Sequence, residues 1–185
     1  MPNSSIFVLY LDGSLVDEVT VKWGSLLNDE WTFQGRTFRN GSAGQVYGNI
    51  IYIAEKRNPF DLDQLILLAH ELAHVRQYRR LGNLDNYCRE YMTEYAKVGY
   101  ENNEFEQEAN FVEKEFLWTL EDFFYDYQGQ KHTINHQGSS YDLPKELPTG
   151  YEPTQAEINE GCTKEALAKL GAETCVEARQ ILDLF

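Results

Sequence analysis

His70, Glu71 and His74 stand in the stretch LILLAHELAHVRQYRRLG, residues 65–82, and their types and spacing suit metal-assisted hydrolysis. On an α-helix, positions four apart lie one above the other on the same face, so His70 and His74 aim two imidazoles at one point. Glu71 is turned away from His70 by about 100°, because a turn holds about 3.6 residues. Its carboxylate therefore reaches a water on the metal without ligating the metal itself. Two nitrogen ligands and a general base on one rigid element are what the HExxH spacing supplies. The flanking Leu65, Leu68, Leu72 and Val75 are apolar, as a buried helix requires. The chain holds 4 histidines, and two of them fall at this spacing. The competing reading is a metal-free helical core in which both rings are structural, hydrogen-bonded residues.

A catalytic zinc takes three protein ligands and keeps a fourth position open, so another ligand must come from elsewhere. HExxHxxGxxH is absent, since position 80 is Arg80. His132 and His136 lie in a Gly-rich stretch with little to fix their geometry, and Glu90 and Glu94 fit the solvent face of a helix. The segment NEFEQEAN, residues 103–110, is the best source. Glu106 falls in the first turn of a helix capped by Asn103, and the small Ala109 one turn later lets a second helix approach. Asn110, at i+4 from Glu106, projects alongside it and is placed to hydrogen-bond a ligand histidine. The competing reading of Glu106 is an ordinary surface carboxylate.

The elements that must position these groups follow from periodicity. The first third is strand-like, in SIFVLYL, VDEVTVKW, EWTFQGRTFRN and QVYGNIIYIAEK, with a hairpin turn expected at LDGS, residues 11–14. From Asn58 the period becomes helical: Asp61 is the expected N-cap and Gln64 its capping-box partner, with Gly82 ending the helix after Leu81. A second helix is expected over Leu84–Val98, closed by Gly99. A third follows Asn103, packing Phe105, Ala109, Val112, Phe116 and Leu120 on the core. Residues 129–154 are rich in Gly, Pro and Ser and read as a long loop or linker. Residues 155–185 read as a C-terminal helical extension, broken near Gly171 and packed on the domain formed by residues 1–128. A small, mostly antiparallel N-terminal sheet followed by helices makes an α+β fold.

Composition narrows the class. In 185 residues, 42% hydrophobic and 14% aromatic, there is enough apolar material for a core. The 16 basic against 30 acidic residues leave a formal net charge of −14, which disfavours nucleic acid and anionic membranes as partners. No apolar run approaches the ~20 residues of a membrane span, and the start lacks the basic region of a secretion signal. A cytoplasmic protein, or one exported without a signal peptide, is the expectation. Cys88, Cys162 and Cys175 lack CxxC spacing and read as free thiols, although Cys162 and Cys175 bracket a short helix and would pair in an oxidising compartment. Nothing in the sequence fixes an oligomeric state.

HELAH followed by the Glu106–Asn110 segment EQEAN resembles the gluzincin branch of zinc metallopeptidases. More closely, FRNGSAGQVYGNIIYI leading into LLAHELAHVRQYRRLG is similar to small bacterial HExxH domains regarded as metallopeptidases and found near secretion or toxin loci. The resemblance covers about residues 36–127, while residues 1–30 and 129–185 resemble no known family. It implies a zincin-like fold, with His70, His74 and Glu106 as zinc ligands and Glu71 as base. Asn110 stands where the family often has an aspartate, which weakens the negative charge behind a ligand. It also implies that the strand before the motif helix, here in YGNIIYIAEK, forms the sheet edge along which an extended peptide lies.

The expected function is zinc-dependent hydrolysis of peptide bonds in a peptide or protein substrate. The alternative is a catalytically silent zincin-like module, zinc-stabilised or metal-free, that recognises a protein partner. Tyr91, Tyr95, Tyr100, His132 and His136 are all candidates to steady the oxyanion.

Overall fold

A computed structural model of the chain describes residues 18–25, 30–33, 36–39, 41–128, 151–170 and 172–182. The segment SIFVLYL, the turn at LDGS and the histidines His132 and His136 lie outside the described residues. Among the described residues, five short strands come first: β1 (Thr20–Trp23), β2 (Glu30–Phe33), β3 (Arg36–Arg39), β4 (Gly44–Tyr47) and β5 (Ile50–Ile53). Six described helices follow: α1 (Leu62–Leu81), α2 (Leu84–Val98), α3 (Glu104–Gln128), α4 (Gln155–Asn159), α5 (Lys164–Leu170) and α6 (Cys175–Leu182). The order is α+β.

Two of the expected strands are hairpins. In QVYGNIIYIAEK the chain reverses at Gly48, whose φ of +64° suits glycine and not a side chain, so β4 returns antiparallel onto β5 with Tyr47 opposite Ile50. EWTFQGRTFRN likewise folds into β2 paired antiparallel with β3. β1 joins the other side of β5 in parallel, Thr20 opposite Ile50 and Trp23 opposite Ile53, giving a mixed sheet of order β1-β5-β4. The strand preceding the motif helix is thus the centre of the sheet and not its edge. The reversal at Gly48 turns β4 outward and seats β5 inside. Ile51 and Ile53, alternating with Ile50 and Tyr52, are fully buried.

Local chemistry explains the helix ends. Asp61 Oδ1 accepts from Asp63 N–H at the start of α1. In place of the capping box expected there, Gln64 Oε1 accepts from Asn58 N–H at 2.9 Å and Asp61 N–H bonds the Asn58 carbonyl at 3.1 Å. α1 closes where Gly82 N–H bonds the carbonyls of Tyr78 and Arg79. Asn83 caps α2 through Asn86 N–H, and Asn103 caps α3 through Phe105 N–H. Ala109, Val112 and Phe116 of the expected apolar face of α3 are buried, joined by Leu117.

By compactness the chain divides into two units. One comprises Met1–Val8, Asn58–Ile66 and Lys114–Phe185, and the other Leu9–Arg57 and Leu67–Glu113. In the first, the C-terminal region is three short helices, with a break that the sequence reading missed. Gly161 adopts φ +96°, ending the turn after α4, and Thr163 Oγ1 caps α5 through Ala166 N–H. Cys162 and Cys175 are joined in a disulfide across a Cα–Cα distance of 6.0 Å, where free thiols were expected. The helix between them ends in time to bring the second cysteine back within bridging range. Cys88 is free and exposed. Among the described residues, no helix is long and apolar enough to cross a membrane.

Candidate metal centre

All the groups of the candidate site belong to the unit that contains the strands. α1 carries His70 and His74 one turn apart, with their Nε2 atoms 3.2 Å from each other. The first turn of α3 brings in Glu106, whose Oε2 lies 3.4 Å from His70 Nε2 and whose Oε1 lies 3.5 Å from His74 Nε2. One donor atom from each of the three residues falls within 4.8 Å of the others. All three residues are buried, at 7%, 6% and 2% exposure, which separates Glu106 from the surface carboxylates of its helix.

These spacings fit a tetrahedral cation. Zinc bonds of about 2.0–2.1 Å place neighbouring ligand atoms about 3.3–3.4 Å apart, close to the 3.2 Å between the ring nitrogens and to the 3.4 and 3.5 Å at which each ring meets its own Glu106 oxygen. The donor set, two imidazoles and one carboxylate, is that of a catalytic zinc. Two buried oxygens, Glu71 Oε2 and Glu106 Oε2, have no hydrogen-bond partner. Leaving a buried polar atom unpaired costs about 1–3 kcal/mol, and more when it is charged. A divalent cation held by Glu106, with water beside Glu71, would satisfy both.

The other face of each ring is held in place. His70 Nδ1 lies 3.1 Å from Glu113 Oε2, two turns along α3 from Glu106. His74 Nδ1 lies 2.8 Å from Gln77 Oε1, and Gln77 is fully buried. Since an amide oxygen only accepts, His74 donates there, leaving Nε2 to face Glu106. Gln77 Nε2 donates to Phe105 O at 2.8 Å and to Glu108 Oε2 at 3.2 Å. Glu108 in turn accepts from Arg76 and Arg80. Such partners fix a ligand's orientation and its metal-facing nitrogen. Glu113→Ala and Gln77→Ala are each expected to weaken zinc binding by ~10–100-fold. Competition with a chelating dye measures this, and an unchanged affinity removes the role.

Asn110, expected behind a histidine, is half-buried and makes none of these bonds. Tyr91 Oη donates to Glu106 Oε1 at 2.6 Å, and the nearby Glu106 carboxylate, after burial, raises the Tyr100 hydroxyl above its ordinary range. The ring of Tyr95 stacks on that of Tyr91, 6.3 Å away. Glu113 and Gln77 escaped the sequence reading, although both carry a helical signal: Glu113 is seven residues after Glu106, and Gln77 three after His74.

Electrostatics reflect the crowding. Burial by itself would keep both imidazoles neutral, but the Glu106 carboxylate, joined at His70 by Glu113, reverses this. His70 is pushed up to about 10, and His74 is raised as well. Burial would likewise raise Glu106, yet the adjacent His70 and His74 rings and the Tyr91 hydroxyl hold it well below the usual carboxylate range. Glu71 moves the other way. Its burial raises it, Glu106 and Glu113 add to the rise, and the two histidines only partly oppose it.

No protein-family model, no curated protein and no solved structure matches this chain.

Proposed function

We propose that this protein is a zinc-dependent metallopeptidase with a zincin-like fold. What carries the proposal is the convergence of His70, His74 and Glu106, one donor atom of each within 4.8 Å of the others, with the unpartnered Glu71 Oε2 next to the first histidine in the chain. His70, His74 and Glu106 would hold the ion. When bound, zinc supplies Lewis-acid polarisation of a carbonyl and brings the pKa of a water to about 7. Glu71 accepts the proton of the attacking water and returns it to the departing amine nitrogen. Burial raises its proton affinity, as suits a group that must both take and give a proton. Tyr91 anchors the Glu106 carboxylate so that it faces the histidines.

The test is metal analysis of untagged protein, followed by an unbiased cleavage profile on a peptide library. The expected outcome is one equivalent of zinc and peptide cleavage that stops on chelation and returns with zinc. One equivalent of zinc without cleavage of any peptide makes the chain a zinc-stabilised binding module. Absence of zinc after supplementation and desalting makes His70 and His74 structural residues.

A further inference from the structure

We propose that Gly44 is a positioning residue for the Glu71 carboxylate: the missing side chain at the head of β4 leaves the space in which the general base lies. The inference deepens the peptidase reading above and rests on it. Gly44 is buried, and its backbone does not adopt the left-handed conformation, so space and not backbone freedom calls for glycine here. A Cβ at this position would stand 2.7 Å from Glu71 Cδ and 2.9 Å from Cγ, and closer still to Oε1. Real Cβ atoms essentially never come within 3.0 Å of such neighbours.

The backbone at Gly44 is pinned. Gly44 is in register with Ile53, which is fully buried, and the adjacent Ala43 carbonyl accepts from Ala54 N–H at 2.9 Å. An added methyl therefore displaces the movable partner, the Glu71 side chain. Glu71 is itself only 4% exposed, so its carboxylate has little room in which to move. A carboxylate displaced by about 1 Å loses its alignment with the attacking water, which costs on the order of 10²-fold in rate. Zinc binding should survive, because the three atoms nearest the added methyl all belong to Glu71 and none to His70, His74 or Glu106.

Gly44→Ala is expected to retain one equivalent of zinc, to hold KM within about twofold, and to lower kcat by about 100-fold. A kcat close to that of the parent, with zinc bound, overturns the proposal. A thermal double-mutant cycle reads the same contact without catalysis. Gly44→Ala should lower Tm in the parent, and should lower it less in the Glu71→Ala background, where the clashing atoms are gone. An equal loss in both backgrounds overturns the proposal. A parent that binds zinc and cuts nothing removes the peptidase reading alone, and the cycle then decides between the same two results for Gly44.

Discussion

Glu71→Gln is expected to keep one equivalent of zinc and to lower kcat for peptide cleavage by ~10²–10⁴-fold, the usual contribution of a general base. Glutamine has the shape of glutamate, so the contact with Gly44 and the packing of α1 persist. Its amide cannot take a proton from water. The exchange also removes a charge from a position only 4% exposed, where ionisation is disfavoured, so the fold has no reason to suffer. Steady-state cleavage and metal analysis on the same preparation check this. A Glu71→Gln variant that cuts as fast as the parent would remove Glu71 from the chemistry while leaving the metal site intact.

Glu106→Ala is expected to lose zinc outright. Deleting a group that merely supports a ligand costs ~10–100-fold in affinity, and deleting a ligand should exceed that range. Two imidazoles on α1 would remain, with nothing opposite them. Tyr91 Oη would lose its acceptor, and His70 would lose the larger of the two attractions that hold its proton. Zinc should be absent after desalting, and a titration of the His70 ring should show a lower pKa than in the metal-free parent. Retention of a full equivalent of zinc in Glu106→Ala would place the third ligand elsewhere and undo the assignment of α3.

The helices were the most legible part of the chain, because their ends are written in local chemistry. Asn83 and Gly99 bracket α2, Asn103 opens α3 and Gly82 closes α1, each through bonds made within a few residues. Hydrophobic alternation was weaker evidence. It ran straight through Gly48-Asn49 and made one strand of what is a hairpin, although Gly-Asn is itself a turn signal. The parallel pairing of β1 with β5 joins residues thirty apart, such as Thr20 and Ile50, and no local pattern announces it. His70 and His74 were legible by spacing alone, and Glu106 by its place in a capped helix. The support behind the rings was not: i+4 spacing pointed to Asn110, whereas Glu113 at i+7 reaches His70. Gly44 had no sequence signal, since its meaning lies in a side chain that arrives from another element.

The two imidazoles are braced differently. His70 leans directly on Glu113. His74 is steadied through Gln77 and Glu108 by Arg76 and Arg80, whose side chains are 40% and 55% exposed. Dissolved electrolyte screens outlying charge pairs of that kind, over a Debye length of about 8 Å at physiological ionic strength, and barely affects enclosed ones. One limb of the centre thus ends in the surrounding medium, so the saltiness of the compartment reaches His74 through that chain of charges.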